Sequence, residues 1–173
     1  MILIVGLGNP GKQYERTRHN VGFAFLDFLA TSWGFPSFEQ SPKWKGSVSA
    51  GTRDGQKVIL LKPETFMNRS GESVSALMSF FKLTSEALTV IHDDLDIAAG
   101  TFKIAKGSGA AGHNGVADLI GKLGTKDFTR IRIGIGRPPE NVPADAFVLS
   151  PFSDEEYESL RETFADIEKT LKS

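Results

Sequence analysis

Strand-like and helix-like segments alternate along the whole chain, and this alternation restricts the possible folds more than any other feature of the sequence. Residues 1–6 are an apolar run typical of a buried strand, whereas Val21, Phe25 and Leu29 recur at helical spacing. Alternating strands and helices predict an α/β fold with a twisted, mixed and mostly parallel sheet flanked by helices. The remaining strands are predicted at residues 46–51, 57–62, 88–92, 101–105 and 131–135, and the remaining helices after Ser70, over 116–123 and after Ser153.

Several boundaries between these segments carry residues that suit turns or helix ends. Asp54-Gly55 separates two predicted strands and is typical of a tight hairpin. Gly124 follows the third predicted helix, where a glycine can end it. Ser153 and Glu156 have the spacing of a capping box, so the last helix is expected to begin just after Ser153.

Length and composition limit the class of protein. A chain of 173 residues fits one domain, predicted here to span residues 1–173. It has no cysteine, which excludes disulfides, thiolate metal sites and a cysteine nucleophile. No apolar run is long enough for a membrane span, and the first residues lack the basic start of a signal peptide. We therefore expect a soluble, cytoplasmic protein with no membrane partner.

Charge is unevenly distributed along the sequence. The formal net charge is −1 and the sequence pI is about 6.3, values that argue against an indiscriminate nucleic-acid binder. One segment is nevertheless basic with few acids, so it is either an ordinary solvated face or a local site for RNA phosphates. Its cations are Lys103, Lys106, Lys122, Lys126, Arg130, Arg132 and Arg137.

Two glycine-rich segments, residues 6–11 and 107–112, match the dinucleotide-binding pattern G-x-G-x-x-G. Pro10 removes a backbone N–H from the first loop, where phosphate oxygens would need donors. Neither segment is followed by an acidic residue suitably placed to bind a ribose. A nucleotide cofactor stays as one alternative; the other is that these glycines allow turns with unusual backbone angles.

The chain has three histidines, His19, His92 and His113, and His92 directly precedes Asp93-Asp94. A neutral histidine next to a carboxylate can act as a general base, and Asp93 is one candidate partner for His19. A structural role for each histidine, or a metal site shared with the nearby aspartates, is the alternative. The ligand spacings of known zinc motifs are missing, as is the G-x-S-x-G motif of a serine hydrolase. A His–Asp pair therefore favours direct attack by an activated water.

Asparagines lie in three separate polar loops. Asn9, Asn68 and Asn114 each carry an amide that donates and accepts, so they are candidates to hold a water, a peptide amide or an oxyanion. The other interpretation is local: Asn20 and Asn114 suit helix N-caps, and Asn68 suits a turn. Three polar segments, including the loop with Asn9, directly follow strands and are expected to converge at the carboxyl edge of the sheet.

Six motifs of this sequence share their order and spacing with one known family. They are Val5-Gly6-Leu7-Gly8-Asn9-Pro10-Gly11, Tyr14 with Thr17-Arg18-His19-Asn20, Lys62-Pro63-Glu64-Thr65-Phe66-Met67-Asn68 with Ser70-Gly71, His92-Asp93-Asp94-Leu95-Asp96, Gly112-His113-Asn114-Gly115, and Arg130-Ile131-Arg132-Ile133-Gly134-Ile135-Gly136. Over about residues 2–150 the chain resembles the bacterial peptidyl-tRNA hydrolase family. The resemblance implies an enzyme without metal or organic cofactor, expected to be a monomer. Its substrate would be the ester between a peptide and the 3′ ribose of tRNA, bound through the acceptor stem and 3′ end.

The resemblance also implies roles for residues at the family's motif positions. His19 would take a proton from water, Asp93 would orient His19 and stabilise its charged form, and Asn9 would place the ester or its oxyanion. Asn68 and Asn114 would hold the peptide main chain and the water. The remaining implied roles are lining of the crevice by Tyr14, Met67 and His113, and tRNA phosphate binding by Lys103, Lys106 and Arg132.

Two positions depart from the family pattern. The family has a basic residue at the position of Ala105, which grips the terminal tRNA phosphate together with the residue that matches Arg132. Lys103 or Lys106 is expected to substitute for it, with weaker but still salt-dependent tRNA binding. Ala111 stands where the family has glycine and should stiffen the second glycine-rich loop.

A catalytically idle RNA-binding module is the alternative from a different functional class. Some relatives of the family in plastids act as RNA-splicing partners. The presence of His19, Asp93 and the three asparagines argues against this alternative, because binding alone does not need them.

Overall fold

Seven strands form one sheet in the computed structural model, which describes residues 1–171. In chain order they are β1 (Ile2–Gly6), β2 (Glu39–Ser41), β3 (Gly46–Arg53), β4 (Gln56–Pro63), β5 (Leu88–Asp94), β6 (Phe102–Lys106) and β7 (Thr129–Gly134). Across the sheet their order is β2-β3-β4-β1-β5-β7-β6. The four central strands β4, β1, β5 and β7 are parallel, and β2, β3 and β6 run antiparallel to their neighbours. The predicted mixed α/β sheet is confirmed; residues 172 and 173 of the predicted domain lie outside the described range.

Helices cover both faces of this sheet. They are α1 (Val21–Ser32), α2 (Ser70–Phe80), α3 (Asn114–Leu123), α4 (Ala144–Val148) and α5 (Asp154–Thr170). On one face α1 and α5 bury Phe25 and Phe164 against alternate strand residues such as Ile4. On the other face α2 and α3 pack against the residues in between, such as Leu3 and Val5. Successive residues of a strand point to opposite faces of the sheet, so a sheet covered by helices on both faces needs strands that are apolar at every position. None of the helices in residues 1–171 combines the length and apolarity of a membrane span.

The predicted boundaries are confirmed where local chemistry determines them. Asp54 and Gly55 both have positive φ, 50° and 77°, as a two-residue hairpin turn requires. Gly124 follows α3 with φ 71°, and Ser153 and Glu156 form the capping box of α5. The short β2 and α4 were not predicted, because three and five residues are too few to show a period.

The first glycine motif lets α1 pack directly against the end of β1. A Cβ atom on Gly6 would lie 2.3 Å from the carbonyl oxygen of Gly22, and one on Gly8 would lie 2.8 Å from the Phe23 ring. These glycines therefore serve close packing between strand, loop and helix, in place of a phosphate cradle. As a consequence the loop after β1 is held beside the start of α1.

Substitution of Gly6 by alanine tests this close approach. Because the added methyl group meets backbone rather than a flexible side chain, we expect Gly6→Ala to lower the free energy of unfolding by about 2 kcal/mol or more. Gly121→Ala is the control: that glycine is inside α3 with open space around it, and the change should be neutral or stabilise by up to about 1 kcal/mol. Urea unfolding of both variants checks this, and equal effects would contradict the packing argument.

His92 lies near the end of β5 and is 2% exposed. Its Nδ1–H donates to the carbonyl oxygen of Asp93 at 2.8 Å, while Nε2 is buried with no hydrogen-bond partner among residues 1–171. Burial, reinforced by the electrostatic effect of His113, lowers the pKa of His92 to about 3. The side chain is therefore a neutral part of the core, and its ring packs edge-on against that of His113 with 4.8 Å between the centroids.

The depressed pKa of His92 predicts a loss of stability in mild acid. Between pH 6.5 and 5 this histidine is protonated in the unfolded chain but neutral in the folded one, so unfolding takes up a proton. The free energy of unfolding should fall by about 2 kcal/mol from pH 7 to pH 5 through this residue. Unfolding curves of His92→Gln, which keeps an N–H donor, should show a correspondingly weaker pH dependence; parallel pH dependences would refute the assignment.

Candidate active site

A cleft of about 570 Å³ opens at the carboxyl edge of the central strands. Loops after β1, β4 and β5 and the start of α3 form it, as the parallel strand order predicts. Of the predicted site residues, the structure places together in this cleft Asn9, His19, Met67, Asn68, Asp93, His113 and Asn114. Tyr14 is not among the described residues that line it; it is half-buried, and its carbonyl oxygen accepts a hydrogen bond from Thr17.

Asp93 joins two histidines at the floor of the cleft. His19 Nδ1 lies 2.8 Å from Asp93 Oδ2, and His113 Nε2 lies 2.8 Å from Asp93 Oδ1. The Asp93 side chain is 2% exposed, whereas that of His19 is 12% exposed. The carboxylate is thus enclosed, and His19 is the member of the group that a ligand in the cleft can reach.

The hydrogen bonds determine the tautomer of each neutral ring. An ionised carboxylate only accepts, so His19 donates from Nδ1, and in the neutral ring the lone pair is then on Nε2. In His113, Nδ1 accepts the backbone N–H of Val116 at 3.3 Å, so its proton is on Nε2 and is donated to Asp93. His113 is therefore held by both nitrogens, and only His19 has a ring nitrogen available for proton transfer.

Asp93 stays ionised despite its burial. Burial alone would raise its pKa, but the electrostatic effect of His113 and the hydrogen bonds from His113 and His19 outweigh it and hold the pKa of Asp93 well below its usual range. A carboxylate that is ionised at neutral pH can stabilise a positive charge on the neighbouring imidazole. The pair thus has the electrostatics of a general base and its partner.

The same three side chains form the one potential metal-binding cluster within residues 1–171. One ligand atom each from His19, Asp93 and His113 lies within 4.8 Å of the others. A metal ion there would have to displace both protons donated to Asp93, and a metal on Nε2 of His113 would move its proton to Nδ1 and break the bond from Val116. The donor set therefore fits a hydrogen-bonded proton-transfer group better than a metal centre.

Asn9 is held in the wall of the cleft by its side-chain oxygen. The backbone N–H of Met67 donates to Asn9 Oδ1 at 2.7 Å. Phe66, just before Met67, has φ 65° and ψ 156°, a backbone region that favours glycine and costs another residue about 1–3 kcal/mol. This strained residue turns the chain into the short 3-10 helix Met67–Arg69, which carries Asn68 into the cleft.

The interpretation of the Asn20 side chain as a helix cap is wrong. Its side chain does not cap α1; it forms two hydrogen bonds with the main chain of Asn9, at 2.8 and 2.9 Å. Asn114 is likewise the first residue of α3, and His113 is the N-cap. The capping rule failed for Asn20 because its side-chain amide bonds to the main chain of a distant loop. The only feature of the sequence that pointed to a role in the site was its position directly after His19.

The predicted phosphate-binding cations lie on β6 and β7. Lys103 is paired with Arg132 across the two strands, and Ala105 is paired with Arg130. Cross-strand partners and residues two apart share one face of a sheet, so Lys103 is on the Arg132 face and Lys106 is on the opposite face. Arg132 does not line the cleft itself, but its Nε donates at 2.8 Å to Oδ2 of Asp94, which does.

The second glycine-rich loop bridges these cations and the cleft. Arg130 donates from Nη2 to the Ser108 hydroxyl and the Gly109 carbonyl oxygen, which ties residues 107–109 to β7. Ala111, on the cleft rim, has φ 50°, a region that favours glycine. The loop is thus anchored at one end by an arginine and restricted at the other by a strained alanine.

Comparison with known proteins agrees with this geometry. A family model described as peptidyl-tRNA hydrolase matches residues 3–173. Peptidyl-tRNA hydrolase of Bacillus cereus (strain Q1) is 50% identical over 156 residues, which are 90% of this chain and 83% of that protein. Its counterpart in Neisseria meningitidis serogroup A is 50% identical over 153 residues, 88% and 79% of the two chains. The crystal structure of peptidyl-tRNA hydrolase from Acinetobacter baumannii superposes with a TM-score of 0.89 at 38% identity, over 95% of this chain and 83% of that one. This chain therefore belongs to the peptidyl-tRNA hydrolase family.

Proposed function

We propose that this protein hydrolyses the ester bond of peptidyl-tRNA, releasing the peptide and recycling the tRNA, with water activated by His19. The observation that carries the proposal is the pair of hydrogen bonds to Asp93, which leaves only His19 Nε2 available for proton transfer in the cleft. Membership of the family supports the choice of substrate.

The chemistry follows from the protonation states. His19 Nε2 takes a proton from a water molecule while the water oxygen attacks the ester carbonyl carbon. Asp93 stabilises the imidazolium that forms. The carbonyl oxygen becomes an oxyanion, to which Asn9 Nδ2 donates a hydrogen bond, since Oδ1 is already occupied by Met67. When the tetrahedral intermediate collapses, the ribose 3′ oxygen leaves and receives the proton from His19.

Contacts with the peptide main chain would give the preference for peptidyl over aminoacyl esters. Asn68 and Asn114 line the cleft from different elements, the 3-10 helix after β4 and the start of α3. Each side-chain amide can pair with a peptide N–H and C=O. An ester that lacks the peptide leaves these groups unpaired in a partly dry cleft, which costs binding free energy in the transition state.

The tRNA phosphate would lie against the face of β6 and β7 that carries Lys103 and Arg132. Nε of Arg132 is used by Asp94, and its two terminal nitrogens have no partner among residues 1–171, so they are available to a phosphate. Lys103 is directly across from it and can replace the basic residue missing at Ala105. Lys106, also a predicted phosphate ligand, is on the other face of β6 and is the weaker candidate.

The catalytic role of His19 can be tested by peptide release from an N-blocked aminoacyl-tRNA in the presence of EDTA. We expect His19→Ala to lower kcat by about a hundredfold or more, the range for a missing general base. Lys169→Ala, a surface change on α5, is the control and should match the parent chain. If parent and His19→Ala both bind tRNA but neither cleaves, the protein is an RNA-binding module and not a hydrolase.

The phosphate site can be tested by the salt dependence of tRNA binding in the inactive His19→Ala background. Lys103→Ala should weaken binding and reduce the slope of log Kd against log salt concentration by about 1, because one phosphate contact is lost. Lys106→Ala is the matched control on the same strand and should change the slope little. Equal slopes for all three proteins, or affinity independent of salt, would argue against this site.

A further inference from the structure

The side-chain amide of Asn20 forms a closed pair of hydrogen bonds with the main chain of Asn9. The Asn9 N–H donates to Asn20 Oδ1 at 2.8 Å, and Asn20 Nδ2 donates to the Asn9 carbonyl oxygen at 2.9 Å. Because a backbone N–H only donates and a carbonyl only accepts, this pair fixes the orientation of the Asn20 amide. Asn20 is 2% exposed, so water does not compete for these bonds.

Within residues 1–171, the backbone N–H and C=O of Asn9 form hydrogen bonds only with the Asn20 side chain. The next residue, Pro10, has no N–H, and the loop returns to regular backbone hydrogen bonding only at Gly11, whose carbonyl oxygen accepts from Tyr14. The loop position of Asn9 is therefore set by one side chain from another segment. The residue that carries this side chain, Asn20, directly follows His19 in the sequence.

A short chain of hydrogen bonds thus runs into the wall of the cleft. It runs from the Asn20 side chain to the Asn9 main chain, and from the Asn9 side chain to the Met67 main chain. The ring of His19, the residue before Asn20, is held by the hydrogen bond from its Nδ1 to Asp93. The turn that carries the general base also carries the anchor for the residue that would bind the oxyanion.

We propose that Asn20 is a positioning residue for the reaction: it fixes the Nδ2 donor of Asn9 at a set distance from the Nε2 atom of His19. The inference rests on the proposed hydrolase function. Asn20 touches no reacting atom and acts only through Asn9. Its loss should lower kcat and leave KM nearly unchanged, because the peptide and phosphate contacts belong to other residues. Misplacement of a catalytic group by about 1 Å can cost a hundredfold, so we expect a ten- to hundredfold decrease in kcat for Asn20→Ala.

A double-mutant cycle on the full chain distinguishes positioning from a general structural role. Peptide release from an N-blocked aminoacyl-tRNA is measured for Asn9→Ala, Asn20→Ala and the double variant. Asn9→Ala removes the oxyanion donor, with an expected loss of about a hundred- to a thousandfold, but keeps the main chain that Asn20 binds. If Asn20 acts through Asn9, kcat of the double variant equals that of Asn9→Ala within about threefold. Losses that multiply would overturn the proposal.

Two further variants distinguish a loss of kcat caused by misplacement of Asn9 from one caused by lower folding stability. Val58→Ala removes apolar volume from a buried position on β4, so it should lower the unfolding midpoint and leave kcat unchanged. Asn20→Asp keeps the acceptor for the Asn9 N–H but cannot donate to its carbonyl oxygen when ionised. Its kcat loss should likewise vanish in the Asn9→Ala background, and it replaces Asn20→Ala in the cycle if that variant does not fold. If the parent chain releases no peptide, the proposed hydrolase function is wrong. If the parent chain releases peptide and the losses of the two single variants multiply, only the proposed role of Asn20 is wrong.

Discussion

The site depends on one buried carboxylate and the two imidazole N–H groups that donate to it. An isolated ionised aspartate inside a protein is costly, and Asp93 is stable there because His19 and His113 satisfy one oxygen each. Each bond also decides the state of its histidine. His113 is fixed at both nitrogens by Asp93 and Val116, whereas His19 is left with one free nitrogen. The asymmetry between two chemically identical side chains therefore arises from a single backbone N–H at the start of α3.

Close packing of backbone on backbone brings the partners of Asp93 within reach. His19 lies at the entrance to α1, and α1 can approach the end of β1 only because Gly6 and Gly22 have no side chains. Asp93 is at the end of β5, which pairs with β1 in parallel register. Parallel pairing places both strand ends at one edge, so short loops suffice to join a base, a carboxylate and an amide. The glycines that resemble a nucleotide-binding motif have this packing role instead.

The sequence predicted elements whose chemistry is local and missed those that distant contacts stabilise. Helix periodicity, the Asp54-Gly55 turn and the capping box of α5 depend on neighbours in the chain, and all are confirmed. For the site, residue type made Asp93 only one candidate partner for His19, and it was the family resemblance that implied this pairing across 74 residues. For Asn20 the sequence offered only the helix-cap interpretation, because no local pattern predicts a bond to a loop 11 residues away.

Electrostatic pairing within the cleft explains how a chain of net charge −1 can offer a binding face to RNA. Consecutive aspartates at the end of β5 would repel a phosphate if both charges were exposed. Asp93 is screened by its two histidines, and Asp94 is buried and bonded to Arg132. Burial would raise the pKa of Asp94, but the hydrogen bonds from Arg132 and from the Asp96 backbone N–H, together with the positive charge of Arg132, outweigh burial and lower this pKa. The same bond orients the arginine, since Nε is fixed and the two terminal nitrogens lie in the same rigid guanidinium plane. One interaction, the hydrogen bond from Arg132 to Asp94, thus neutralises the acid beside the proposed catalytic pair and orients a cation toward the proposed phosphate position. Asp93 and Asp94, which are adjacent in the chain, therefore hold the proposed general base His19 and the proposed phosphate ligand Arg132 in a fixed relation to each other.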